Sequence, residues 1–372
     1  MTIATAVSAP TVQDIVRYPL PPSTVEARTY TDPARFEAEL AEVFYKSWFP
    51  ACPSVDLKAA RDYVVFKQLR QSVVIARGDD GGVTAWHNVC QHRGARIVEA
   101  SGHCASGRFT CPWHGFVYDL TGKVRFTPMR WAFDAALLVD LHAAPVRVTE
   151  WGGFVWLCLA DDTPDLVSFL GDIGTELAWF GLDNFATPYR LELTLTANWK
   201  TVVDAFNETW HVPFTHGATL SDIVQWSQAH LRICDPHSWM TIPVKGLTDR
   251  APPGADHRAA NISHYLAFPN TIFSCFPTHL QTWNIWPVSP TETRFTAFGM
   301  VGPCPDGIDP AKWQRQNDRD WQNFVNVSEE DAAVINGWGE VAHSLAQKRY
   351  MFNTAEGRLT AFHAEVARRV GG

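Results

Sequence analysis

The sequence has no stretch approaching the ~20 apolar residues of a membrane-spanning helix. Its N-terminus, M-T-I-A-T-A-V-S-A-P, carries neither a basic region nor a long apolar run. A membrane span and a secretory leader are therefore not expected, and a soluble cytoplasmic protein is. Positive charge is not in excess either. With 31 Lys and Arg against 39 Asp and Glu the net charge is −8, which leaves no electrostatic footprint for nucleic acid. There is no internal repeat, no G-x-G-x-x-G in a βαβ setting and no recognisable flavin site, so a bound dinucleotide is not expected. Cysteine is sparse: eight in 372 residues, single except in two short clusters. That spacing speaks against a disulfide framework and for a reducing compartment. Aromatic residues, by contrast, are plentiful, with 16 Trp and 22 Phe. They imply large apolar cores, in a chain long enough for about two domains.

The two cysteine clusters are N-V-C-Q-H-R-G, with Cys90 and His92, and C-P-W-H-G-F, with Cys111 and His114. Each pairs a thiolate with an imidazole and is followed by a glycine, Gly94 or Gly115, which would let backbone N–H groups approach a bound group. Zinc accepts two Cys and two His, but zinc fingers place the Cys in one pair and the His in the other. Mixed pairs suit a [2Fe–2S] cluster with one iron on both Cys and the other on both His. The alternatives are a zinc ribbon, or buried Cys and His that hold no metal. The pattern resembles the Rieske motif. Respiratory Rieske proteins add a second Cys to each loop; here Arg93-Gly94-Ala95 and Pro112-Trp113 stand there, as in the lower-potential clusters of oxygenases and their ferredoxins. Cys104 reads as a spare thiol.

Residues 1–30, with Pro10, Pro19, Pro21 and Pro22, read as an extended arm. Asp32-Pro33 supplies a cap and a proline at the first helical position, and Phe36, Leu40, Val43 and Phe44 follow at helical spacing, so a helix is expected over 33–46. From 47 to 160 short β-branched runs alternate with turns such as Asp79-Asp80-Gly81-Gly82, which predicts a small antiparallel β domain carrying the two Cys/His loops. Residues 161–372 read as a second domain, with strands around 191–195, 265–268, 272–276, 282–286 and 294–298. Helices are expected at 198–211 and about 310–345, and a mobile loop at 245–262. The fold class is α+β.

The second domain carries N-W-K-T-V-V-D-A-F-N-E-T-W-H-V-P-F-T-H. In a helix over 198–211, Trp199, Val202, Val203, Phe206 and Trp210 form an apolar face. Asp204, Glu208 and His211, at i, i+4 and i+7, form a separate stripe. Pro213 should bend the chain after His211 and bring back His216, which would point about 140° away in an unbroken helix. Two converging His and one carboxylate make the facial triad of non-haem Fe(II) oxygenases. Taken alone, two His near a proline are more often core or surface residues; beside a Rieske-like motif the metal reading leads.

Both motifs, in this order, resemble those of the large (alpha) terminal oxygenase subunit of Rieske non-haem iron aromatic ring-hydroxylating oxygenases, and the resemblance covers nearly the whole chain. It implies a Rieske β domain plus a catalytic domain with a helix-covered antiparallel sheet. It also implies a [2Fe–2S] cluster on Cys90, His92, Cys111 and His114, and a mononuclear Fe(II) on His211, His216 and an Asp of a late helix. Ser328-Glu329-Glu330-Asp331-Ala332 matches that helix, so Asp331 is the expected third ligand, with Glu330 and Asp320 as fallbacks. Glu208 and Asp204 are the expected catalytic acids. Family members form head-to-tail trimers in which a carboxylate links a cluster His to an iron His of the next chain. Glu208 stands at that position, where most members have Asp; Glu is found in some branches, including oxygenases of quaternary amines.

A separate NAD(P)H reductase, directly or through a ferredoxin, is the implied electron donor. The large number of apolar side chains, among them Phe214, Ile223, Val224, Trp226, Phe268, Phe273, Phe276, Trp283 and Phe298, puts ring hydroxylation of an apolar aromatic first. Oxidative N- or O-demethylation, of a quaternary amine held by aromatic faces or of an aryl ether, comes second. A rival of another class is an electron carrier whose second domain only docks. The sequence does not reveal the regiochemistry or whether a small β subunit is present.

Overall fold

The computed structural model describes residues 20–371, apart from 253, 277 and 278. The first nineteen residues of the expected arm lie outside that range. The chain forms two compact units. One comprises the residues through Glu39 with Leu170–Glu176 and Phe185–Gly372; the other comprises Leu40–Phe169 and Leu177–Asn184.

The smaller unit is antiparallel β. One sheet orders Val83–His87, Val73–Arg77, Asp62–Phe66 and Gly102–His103. A second orders Arg147–Trp151, Phe154–Cys158 and Phe49–Pro53, and a third Arg108–Thr110, Val117–Asp119 and Val124–Phe126. The hairpin expected at 79–82 joins the first two strands of the first sheet. Trp86, Tyr118, Phe109 and Val74 fill a core against which Cys90 and Cys111 are also buried.

The larger unit is a seven-stranded antiparallel sheet in the order Ala186–Leu195, Glu292–Val301, His279–Ser289, Thr271–Cys275, Asn261–Ala267, His237–Pro243, His230–Cys234. The strands expected from alternation are all present. The last two in that order were not foreseen. Strand His237–Pro243 is buried at every position, so no polar alternation marks it. The end of the expected arm is itself a strand, Ser23–Glu26, paired with Arg349–Phe352. The helix expected over 33–46 is α-helical only to Glu39 and continues as a π turn over Leu40–Phe44. Glu39 holds the buried Lys200 ammonium at 2.6 and 2.7 Å, a fully desolvated pair that ties this helix to Trp199–Phe206.

The long helix Pro310–Val341 begins as its sequence suggests, with Asp309 capping Ala311 N–H and Pro310 in the first turn. Its buried residues Phe324, Ser328, Asp331 and Ile335 recur at helical spacing and set its rotation. Two glycines let it lie close to its neighbours. A Cβ on Gly299 would stand 2.6 Å from the Trp321 ring, and one on Gly339 would stand 1.4 Å from the Thr196 carbonyl oxygen. These close approaches bracket the segment that carries Asp331. The expected loop at 245–262 holds two 3-10 turns, Thr248–Arg250 and His257–Ala259.

Candidate active site

The two Cys/His loops are built alike. Cys90 O accepts from Gly94 N–H at 2.9 Å, and Cys90 N–H donates to Ala95 O at 2.8 Å. Cys111 O accepts from Gly115 N–H at 3.0 Å, and Cys111 N–H donates to Phe116 O at 2.8 Å. Both turns close through a glycine at φ +75°. The left-handed conformation favours glycine at both positions. The loops bring Nδ1 of His92 and Nδ1 of His114 to 3.1 Å. Cys90 and Cys111 are buried side by side, while His92 is half-buried and His114 exposed. Burial pushes the Cys90 thiol above its ordinary range, and the Tyr118 hydroxyl donates to its sulfur at 3.2 Å. A thiolate there needs a cation, which a metal supplies.

In the second domain the helix does not run over 198–211. It is capped by Asn198, whose side chain accepts from Lys200 N–H, and it ends at Phe206. His211 instead begins a separate short helix, Val212–Thr215, with Pro213 in its first turn, where a missing N–H costs nothing. The break therefore comes before His211, not after it. His216 leaves helical conformation at φ −112°, ψ 36°, and its ring turns back to 5.2 Å from that of His211.

Asp204 consequently does not share a stripe with Glu208 and His211. Its carboxylate accepts from Tyr30 OH at 2.7 Å and lies 2.8 Å from His363 Nε2, in a buried cluster away from the two His. Glu208 contacts His211 Nδ1 and accepts from the N–H groups of Trp210 and His211. It is a wall of two cavities, one shared with Asp204 and the other with His211.

Asp331 meets the two His from the long helix. Its Oδ1 lies 3.0 Å from His216 Nε2 and 3.9 Å from His211 Nε2. One ligand atom from each of the three residues lies within 4.8 Å of the others. The far nitrogen of each ring has its own carboxylate: Glu208 on His211 Nδ1, and Glu330 on His216 Nδ1 at 2.7 Å, with the Thr219 hydroxyl also donating to Glu330. Such carboxylates fix the tautomer and aim of metal-binding imidazoles. Glu330, a fallback for the third ligand, thus stands behind His216. Asp320, the other fallback, lies three turns away along the helix. Residue 331 shares the inward phase of Phe324, a signal present in the sequence; the parts of Thr219 and Glu330 had none.

A cavity of about 310 Å³ adjoins the three residues. Leu220, Ile223, Val224, Met240, Ile242 and Val244 supply an apolar wall. His264, Ser274, His279, Gln281, Gln316 and Asp320 supply a polar one. Burial, with Arg358's charge adding, holds His264 down to about 3, so its ring is neutral. Of the aromatic candidates, Phe276 and Trp283 line this cavity; Phe268 and Phe273 are core, and Phe214 is exposed.

Residues 182–372 match the family described as ring hydroxylating alpha subunit (catalytic domain), and residues 47–136 match the Rieske [2Fe-2S] domain. The chain is 25% identical over 356 residues to the glycine betaine monooxygenase oxygenase subunit of Pseudomonas aeruginosa, covering 82% of this chain and 81% of that one. It is 32% identical over 218 residues to the carnitine monooxygenase oxygenase subunit of Escherichia coli, covering 56% of each. Among solved structures, a quaternary ammonium Rieske monooxygenase in complex with L-carnitine superposes with a TM-score of 0.77 at 20% identity, over 93% of this chain and 95% of that one. Naphthalene 1,2-dioxygenase with indole bound does so at 0.73 and 18%, over 92% of each chain. At these identities the structural likeness shows the fold.

A Rieske domain followed by this catalytic domain defines the terminal component of an O2-incorporating oxidoreductase, and the chain belongs to the Rieske ring-hydroxylating oxygenase alpha-subunit family. Its cofactors are a [2Fe–2S] cluster and a mononuclear iron. The reading of the second domain as a mere docking module falls with this. The donor sets fit both groups: two buried thiols with two converging imidazole Nδ1 atoms for the cluster, and two Nε2 atoms with one carboxylate for the iron. No helix among the described residues is long and apolar enough to cross a membrane.

Proposed function

We propose that this chain is the oxygenase component of a multicomponent system that oxidises a small organic cation, with quaternary amines as the leading class. The observation that carries this is the charge of the cavity: its lining includes Glu208, Asp320 and Asp331 and no Lys or Arg among the described residues. With the iron and the two imidazoles taking up the charges of Asp331 and Glu208, the carboxylate left to a substrate is Asp320, which a cation would meet beside the Trp283 ring. The relatives named for glycine betaine and carnitine, and Glu208 in place of Asp, support the same reading. This reverses the order expected from composition, which put aromatic hydrocarbons first; likeness to oxygenases of quaternary amines gives that ranking no support. The apolar wall favours a second reading, hydroxylation of a neutral aromatic.

In this reading residues 47–160 carry the cluster on Cys90, His92, Cys111 and His114, and residues 161–372 carry the iron on His211, His216 and Asp331. The bound groups supply electron storage and O2 activation. The chain's own part is to orient and exclude. Glu208 and Glu330 fix the two imidazoles, and the apolar wall keeps water from the reacting carbon. A separate NAD(P)H reductase, directly or through a ferredoxin, delivers two electrons. One oxygen atom enters the substrate, and the other leaves as water with two protons. A homotrimer, in which Glu208 links His211 to His92 or His114 of the adjacent chain, completes the electron path.

Oxygen uptake with a generic reductase tests the substrate class. At least one of choline, glycine betaine, carnitine and a longer-chain trimethylammonium compound should drive uptake with matching product, and benzoate and naphthalene should not. Coupled turnover of naphthalene alone would overturn the reading.

A further inference from the structure

The cavity is elongated along the long helix. Gln316, Asp320, Asn323, Phe324, Val327 and Asp331 all line it. Asp320 and Asp331 are eleven residues apart, so they share a face about three turns, or roughly 16 Å, apart along the axis. The opposite wall runs in step. His279, Gln281 and Trp283 alternate along one strand, with His279 near Asp320 and the Trp283 ring stacked on Phe324 at 5.5 Å. One end of the cavity is therefore the His211, His216 and Asp331 group. The other is a carboxylate.

That carboxylate is held in place. Arg319, exposed on the helix, donates to Gln316 Oε1 at 2.6 Å, and Gln316 Nε2 donates to Asp320 Oδ1 at 2.8 Å. His279 Nδ1 lies 3.6 Å from Asp320 Oδ2, but burial draws the His279 pKa below the ordinary imidazole value even with Asp320 opposing it. That direction weakens the ring as a counter-charge to the carboxylate. The volume, about 310 Å³, falls within the range of pockets that hold an organic ligand.

We infer that Asp320 recognises the positively charged group of an elongated substrate, about three helical turns from His211, His216 and Asp331, so that the carbon to be oxidised lies several bonds from the charged nitrogen. This deepens the proposed function and rests on its cationic substrate. Asp320 acts here in specificity, binding one end of the ligand while Asp331 sits at the other.

Calorimetric binding to the purified holoprotein, without reductase, tests it with n-octyltrimethylammonium, tetramethylammonium and octan-1-ol as probes. The wild type should bind the octyl cation tightest. Asp320→Asn should weaken that cation by roughly tenfold, the factor of about 1.4 kcal/mol. It should leave octan-1-ol and the Rieske absorption unchanged, and Asp320→Glu should recover part of the loss. If the wild type prefers the cation to the alcohol but Asp320→Asn binds it equally well, the subsite is wrong and the cationic substrate survives. If the wild type does not distinguish cation from alcohol, both are overturned.

Discussion

The two candidate metal-binding groups of this chain are assembled in opposite ways. Cys90, His92, Cys111 and His114 come from two loops of one small β unit, each closed by the same pair of backbone hydrogen bonds and a glycine at φ +75°. His211, His216 and Asp331 come from a one-turn helix and a distant long helix, and they meet where the long helix lies close against its neighbours at Gly299 and Gly339. The first group is set by local backbone geometry, the second by tertiary packing. Damage should spread differently from each.

The largest effect is expected in the local group. Cys111 is buried, so Cys111→Ser should abolish the visible Rieske absorption and destabilise its unit, because metal binding and folding are coupled. A full Rieske spectrum in the purified variant would remove Cys111 from the cluster. The packed group should instead be sensitive at a distance. Gly339→Val drives a side chain into the Thr196 carbonyl and should cost about 3 kcal/mol in denaturant unfolding of the catalytic unit, while the Rieske spectrum persists. Loss of the Rieske signal together with the catalytic unit would erase the contrast.

This contrast also explains what could be read in advance. The C-x-H and C-x-x-H pairs were legible because their ligands lie within one short segment. His211 and His216 are legible as a pair, but the expected helix over 198–211 is too long. Its apolar periodicity continues through Trp210, which is in fact half exposed, and Asn207 ends the helix first. Asp204 was misplaced for the same reason, since its partners Tyr30 and His363 come from the two ends of the chain. Strand His237–Pro243 and the polar wall of the cavity left no pattern, because residues buried on both faces and contacts between remote strands have no sequence period.

Smaller effects should follow from the carboxylates behind the imidazoles. Glu208→Gln keeps the size and removes the charge on His211 Nδ1, and steady-state turnover should fall roughly ten- to a hundredfold with iron content and cluster spectrum near normal. The pre-reduced cluster should then reoxidise slowly when substrate and O2 are added; reoxidation at the wild-type rate would deny Glu208 a part in electron transfer. Glu330→Gln should be milder, near the lower end of that range, because the Thr219 hydroxyl still holds the side chain behind His216. It should lower iron retention on dialysis rather than the reoxidation rate, and an equal loss in both variants would mean that the two carboxylates act alike.

The measurement that bears most directly on the packed site is iron per chain in Asp331→Ala, read beside the Rieske spectrum. Asp331 faces both Nε2 atoms, and Glu330 is already engaged with His216 Nδ1. Iron should fall from about three to about two per chain, the two that remain being those of the [2Fe–2S] cluster, with its absorption unchanged and turnover lost. Three irons per chain in Asp331→Ala, with a matching loss in Glu330→Ala, would contradict the assignment and move the third ligand by one residue.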